Sequence, residues 1–326
     1  MLEIYTSEEA KRVGARVIYK VSEQKEIADD CWVNLYSPTE DEISRVEREL
    51  NIPQEFIRYP LDEEERPRVD FDEATGFTLI IVDIPYSRRE NEIIKYETSP
   101  LGIILADKHI VTVSIKQTTV FDQFIDNRIK DMIIGFRTRF TIQILSAAAR
   151  DYLRLLRFID KTIDVAESSL AKMVSNEDLY KMLELNKSLV YFSSSLKSNE
   201  AVLEKLLRGR TIKLYDDDED FLDDDVVIEY RQAHEMAEIY SSIVKVTIDA
   251  YSSIINNNMN TIMKVLAAAT ICLTIPDLIG SFFGQNCPMP WDTGFAQNPV
   301  PFVILLIISI TSLVVSIVVM KKKKML

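Results

Sequence analysis

Only two of the 326 residues are histidine and only three are cysteine. Cys31, Cys272 and Cys287 lie far apart or isolated and form no CxxC pair, which argues against a disulfide framework or a structural zinc site. No GxxxxGK[ST] phosphate loop, no HExxH and no GxSxG occurs, and the carboxylates are too many for an acid–base pair to be singled out. An enzyme is therefore the least favoured class. No basic-then-apolar stretch opens the sequence. Residues 1–10 are polar and acidic, so no signal peptide is expected and the N-terminal body is expected to stay in the cytoplasm. Positive charge is scarce as well: up to Met263 there are 33 basic against 49 acidic residues, a net of −16. Such a body would repel nucleic-acid phosphates, and it is compatible with handling cations.

Long apolar runs are missing until the C-terminal quarter, where two appear. Residues 301–320 (PFVILLIISITSLVVSIVVM) carry no charge over 20 residues. At 1.5 Å of rise per residue this run spans a hydrocarbon core of roughly 30 Å. Lys321, Lys322, Lys323 and Lys324 follow it, and the positive-inside rule assigns that end to the cytoplasm. Residues 265–283 form a second candidate span whose only charge is Asp277, preceded by Pro276. Two spans across the cell membrane are expected to put both chain ends on its cytoplasmic side and to leave residues 284–299 as a short external loop.

Before the spans the chain reads as mixed α/β and then all-helical. Residues 16–21, 31–36, 77–85, 102–106 and 109–115 are β-branched and aromatic runs bounded by turn residues, so strands are expected there. Thr39 and Glu42 stand in capping-box spacing at the start of a helix over 39–50. Strand signals end near residue 118, and a helical pattern runs to 210 with a break expected at 175–178. Residues 216–225 (DDDEDFLDDD) hold eight acidic side chains in ten and read first as a solvated loop, second as a cation-attracting patch.

Beyond that run no proline or glycine occurs until Pro276, which predicts one helix over 221–283, roughly 95 Å long. Val226, Tyr230, Ala233, Ala237, Tyr240, Val244, Thr247, Tyr251 and Ile254 recur at steps of four and three. This heptad seam implies packing between copies of the helix. The expected division is 1–117 (α/β domain), 118–220 (long helices), 221–264 (stalk helix), 265–283 and 300–320 (transmembrane helices), 284–299 (external loop) and 321–326 (basic tail).

Asn260, Met263, Leu266, Thr270, Thr274, Asp277 and Ser281 also fall at steps of three or four, one stripe of the first span. An aspartate at a membrane-helix centre costs roughly 2.5–3.5 kcal/mol on insertion scales, so this stripe is expected to face water or ions rather than lipid. For any single threonine or serine, a hydroxyl bonded back to its own helix explains as much. Two helices cannot enclose a watery path, so a pore must lie between subunits.

The sequence NxxMKxL at 260–266, then Ile275-Pro276, then FFGQNxPxP at 282–290, resembles the CorA family of magnesium and related divalent-cation channels. DVVIEYRQAHEMAEIY at 225–240 and DAYSSIINNNMN at 249–260 resemble that family's long stalk helix. The resemblance implies a funnel-shaped homopentamer: an α/β N-terminal cytoplasmic domain, a long stalk helix, and two C-terminal transmembrane helices, the first lining a central pore. It implies Mg²⁺ as transported and regulatory ion, with Co²⁺, Ni²⁺ or Zn²⁺ as further cations, and the lipid bilayer as surroundings.

Gly284 and Asn286 then match the outer-mouth glycine and asparagine. Asn260, Met263 and Leu266 match pore positions near the cytoplasmic side, where an apolar ring would gate. Asp225 and Asp249 match stalk carboxylates linked to metal sensing. Two residues depart from the family pattern. Gln285 replaces the middle methionine of Gly-Met-Asn. Asp277 stands where a neutral, often hydroxyl, side chain is more usual, and it is expected to make a cation site within the pore beside Thr270 and Thr274. A zinc transporter of the same fold, and a non-conducting membrane-anchored metal sensor, are the alternatives.

Overall fold

The computed structural model describes residues 1–13, 16–90, 93–129, 132–170, 176–208, 211–284 and 300–323. It divides into two compact units, Met1–Ile248 and Asp249–Leu326.

The first unit is built on seven strands: β1 (Leu2–Val13), β2 (Arg16–Gln24), β3 (Trp32–Tyr36), β4 (Arg68–Phe71), β5 (Thr78–Glu90), β6 (Ile93–Leu105) and β7 (Ile110–Ser114). Their spatial order is β2-β1-β3-β7-β6-β5-β4. Only the β3–β7 pair is parallel; the other neighbours are antiparallel. All five expected strands are there. The two that pattern reading does not find are β1, whose second half is charged, and the four-residue β4. Ile4 and Tyr5 anchor β1 in the core, and backbone pairing with β2 carries the rest of it.

Both faces of the sheet are buried, which is why the central strands read as unbroken apolar runs. Successive side chains point to opposite faces. Leu79, Ile81, Ile104, Val111 and Val113 pack with Ile43, Val46 and Ile57 of α1 (Glu40–Leu50) and α2 (Gln54–Arg58). The Thr39–Glu42 capping box of α1 forms as expected. Ile80, Val82, Leu101 and Ile103 face the opposite way, into a larger core with the long helices that follow α3 (Asp122–Ile125), namely α4 (Arg137–Leu170) and α5 (Asn176–Arg208). Trp32 is its aromatic centre, with ring centroids of Tyr5, Phe121 and Phe140 at 4.9, 5.0 and 5.3 Å. Its indole N–H donates to Thr112 Oγ1 at 2.8 Å, so the polar handle of this large side chain is satisfied. The break expected at 175–178 is not found over 176–178, where α5 has already begun, and residue 175 lies outside the described residues.

Polar side chains fix α5 against the sheet. Asn199 donates to the Asp83 carbonyl at 2.7 Å and accepts from the Asp83 amide at 2.8 Å. Ser195 donates to the Asp83 carboxylate at 2.5 Å. Burial holds the Asp83 carboxyl above its ordinary value of 3.8, and the Ser195 hydroxyl opposes that shift only in part. With a raised folded pKa the folded chain keeps a proton that the unfolded chain has released. Stability therefore falls as pH rises from the unfolded value to the folded one, and stays reduced above it. Asp83→Asn retains an acceptor for Ser195 and removes the charge. It is expected to raise the thermal midpoint at neutral pH and to lose that advantage below pH 3.8. A lower midpoint for the variant at neutral pH would contradict this account.

The acidic run is not a loop. It forms α6 (Asp216–Asp220) and most of a π-helical stretch, Phe221–Val227, that leads directly into α7 (Ile228–Phe283). The long helical run thus starts five residues before the expected position 221. Arg139 of α4 makes the difference: its guanidinium reaches Asp218 Oδ1 at 3.0 Å and the Asp217 carbonyl at 3.1 Å, and lies 4.7 Å over the Phe221 ring. Asp218 is consequently buried despite its acidic neighbours. Four acidic side chains in the first turn of α6 also suit the positive end of a helix.

Up to Thr247 most of the heptad seam is covered within a single chain rather than left for another copy. Val226, Tyr230, Ala233, Ala237, Val244 and Thr247 are buried within a single chain, and the first five belong to its main core. Tyr152 of α4 packs 6.5 Å from the Tyr230 ring, and Thr247 donates to Glu167 at 2.9 Å. Tyr240 is only partly buried. A seam of period 3.5 records that one helix face packs on other helices, and here α4 supplies partners from the same chain.

In the second unit α7 continues to Phe283, and α8 (Val300–Lys322) follows. Both expected spans are helical. Only 11% and 6% of the residues in their most apolar windows are buried inside the chain, so neither is the core helix of a water-soluble body.

Candidate functional site

Most of α7 within Asp249–Leu326 is exposed, with apolar Ile262, Leu273 and Leu278 open as well as the polar stripe. Asn260, Thr270, Thr274, Asp277 and Ser281 are all exposed, and Met263 and Leu266 are 57% and 60% exposed. Burial on this part of the helix falls instead on Ala268 and Cys272. Each stands two residues from Thr270, about 200° around a helix of 3.6 residues per turn. On α8 the buried position is likewise small, Ser316. Small side chains allow membrane helices to approach closely. The stripe and the packed face are therefore opposite sides of one helix.

The threonine hydroxyls bond back to their own helix: Thr270 donates to the Leu266 carbonyl at 2.9 Å and Thr274 to the Thr270 carbonyl at 2.8 Å. Their donors are spent, and their oxygens present lone pairs outward. Asp277 follows Pro276, around which α7 continues without ending. Proline lacks the amide that would have bonded the Cys272 carbonyl, so the backbone just before Asp277 keeps an acceptor free of the helical ladder. Gly284 donates its amide to the Gly280 carbonyl at 3.0 Å, and an added Cβ there would meet nothing nearer than 3.5 Å in the chain. Gln285 and Asn286, with Cys287, lie outside the described residues.

Asp225 and Asp249 are both exposed. They fall in different units, Asp225 within the π-helical stretch and Asp249 in α7. Among the described residues, no group of three or more His, Cys, Asp or Glu side chains is placed to hold a metal. Cys31 Sγ lies 3.5 Å from His109 Nδ1, and among the described residues this pair has no third ligand of that kind.

A model of the family described as CorA-like Mg²⁺ transporter protein matches residues 28–322. The chain belongs to that family. It is accordingly a membrane transport protein and not an enzyme. The cobalt/magnesium transport protein CorA of Methanocaldococcus jannaschii is 27% identical over 297 residues, covering 89% of this chain and 90% of the relative. The complete structure of the CorA magnesium transporter from the same organism matches 98% of this chain and 97% of that one, with a TM-score of 0.78 and 24% identity. The cytoplasmic domain of ZntB from Vibrio parahaemolyticus matches 79% of this chain with a TM-score of 0.55 and 11% identity, a likeness of fold alone. The CorA fold thus comprises the soluble α/β part, the long helix and two helices fit to cross a membrane.

Proposed function

We propose that this CorA-family chain forms a passive channel for divalent cations, chiefly Mg²⁺ and also Co²⁺ and Ni²⁺, from five copies around one axis in the cell membrane. Both chain ends are in the cytoplasm. The observation that carries the reading is the stripe from Asn260 to Ser281, exposed on the side of α7 opposite the buried Ala268 and Cys272. A carboxylate, three hydroxyls and an amide are costly against lipid, and an aqueous axis shared by several copies gives them water or ions.

Mg²⁺ sheds its water reluctantly and favours oxygen ligands. A ring of Asn286 amides and Gly284 carbonyls, with Gln285 between them, grips the hydrated ion through its waters. Met263 and Leu266 form an apolar constriction that closes by excluding water, with Asn260 on its cytoplasmic side. Asp225 and Asp249, exposed in the single chain, bind cytosolic Mg²⁺ between neighbouring copies and hold the closed state; without the ion their like charges repel. The lysine-rich end of α8 supports the cytoplasmic assignment. The names of the Methanocaldococcus relatives support Mg²⁺ and Co²⁺ as cargo.

Zinc is the second reading within the fold. Soft thiolate or imidazole ligands would favour it, but Cys272 lies on the buried face of α7, opposite the stripe. Purified protein in liposomes, tested for uptake of Mg²⁺, Co²⁺, Ni²⁺ and Zn²⁺, is expected to pass Mg²⁺, Co²⁺ and Ni²⁺ and to lose that flux in Asn286→Ala. Uptake of Zn²⁺ alone would favour the zinc transporter. An oligomer that passes none of the four would leave a membrane-anchored sensor.

A further inference from the structure

One cavity of the soluble unit gathers three cations on its lining. About 550 Å³ in volume, it opens between the β5–β6 hairpin, the segment after β7, and α4. Arg88, Lys116 and Arg154 line it against a single carboxylate, Asp151, in a chain of net charge −13. The buried Asp151 is fully engaged, because it holds Arg154 and accepts from Thr119 Oγ1 at 2.8 Å. The other two cations pair with acids that do not line the cavity: Lys116 with Glu63 at 3.3 Å, and Arg88 with Glu90 and Glu97 at 3.2 and 3.4 Å. Glu63 and Glu90 are well exposed, and pairs of that kind are weak enough to exchange for a better anion.

The remaining wall is apolar and aromatic. Tyr96 and Leu155 are buried, whereas Phe158 and Ile94 stand about half exposed at 49% and 50%. Lys116 is held in place by Tyr86, with its ammonium 2.8 Å from the hydroxyl and 4.3 Å from the ring centroid. A volume of this size is that of a small-molecule site, where apolar walls surround a few fixed polar groups.

The geometry points to a nucleotide-binding site, with the phosphates on Arg88, Lys116 and Arg154 and the base against Phe158 and Ile94. Guanidinium forks suit phosphate oxygens, and a planar base stacks on an aromatic face without needing a particular sequence of hydrogen bonds. Both walls are required. A bare phosphate chain leaves the aromatic side wet, and a nucleoside offers the cations nothing in exchange for their exposed protein acids.

Calorimetric titration of the full-length protein in detergent with ATP, adenosine and inorganic tripolyphosphate tests this. ATP is expected to bind saturably in the micromolar range, with each of the other two weaker by at least about tenfold. The paired variant Arg88→Gln/Lys116→Gln should lose ATP binding by a similar factor, and Phe158→Ala should weaken it severalfold. Arg154 is left in place because it secures Asp151, and the exposed sites chosen keep the fold intact, checked by an unchanged thermal midpoint. No saturable ATP binding, binding unaltered by either variant, or tripolyphosphate bound as tightly as ATP would each overturn the proposal.

Discussion

Asp277→Asn is expected to weaken divalent-cation block and to relax discrimination among divalent ions by at least about tenfold. The carboxylate is exposed on α7 beyond Pro276, on the stripe that also carries Thr270 and Thr274. One ionised carboxylate about 5 Å from a divalent ion contributes about 2 kcal/mol even with the full dielectric of water, which exceeds a factor of ten. Asp277→Thr places a neutral hydroxyl there and is expected to give the same loss. The check is flux of Mg²⁺, Co²⁺ and Ni²⁺ through reconstituted protein, with cross-block by each ion. Selectivity and block unchanged in both variants would remove Asp277 from the conducting path.

The second large effect is expected from the double variant Met263→Ser/Leu266→Ser, which should conduct continuously. Both side chains stand more than half exposed on the single helix, open to contact with another copy. A constriction ringed by thioether and isobutyl groups closes by expelling water, and hydroxyls of smaller volume let water remain. Mg²⁺ flux at high internal Mg²⁺, where the native channel is expected to be shut, should rise by at least about tenfold. That factor corresponds to a gating free energy of only 1.4 kcal/mol. Flux that stays as low as in the native protein would place the gate elsewhere. Because neither side chain belongs to the cores of the soluble unit, a change in its thermal midpoint is not expected.

Several of these features were readable before any coordinates, and the particular errors show why others were not. The Thr39–Glu42 cap and the strands of the central sheet follow from rules that act over a few residues. β1 escaped because its charged half is carried by backbone pairing with β2, a relation no local pattern expresses. The acidic run misled for the opposite reason. Eight carboxylates look like a solvated loop until Arg139, some eighty residues earlier in the chain, is seen to reach Asp218. The cavity walled by Arg88, Lys116 and Phe158 left no trace in the sequence at all, since its residues come from three separate stretches.

By itself the sequence determined that two C-terminal helices are fit to cross a membrane and that a polar stripe runs along the first of them. Transfer of a helix into hydrocarbon depends on its own composition and length, and three-to-four spacing puts residues on one face whatever surrounds them. Only the tertiary structure decided what each face meets. Periodicity declares that the seam from Val226 to Thr247 must be covered, but the free energy of covering it is the same whether the partner helix belongs to another copy or to the same chain. The packing of Tyr230 on Tyr152 shows that it is the same chain.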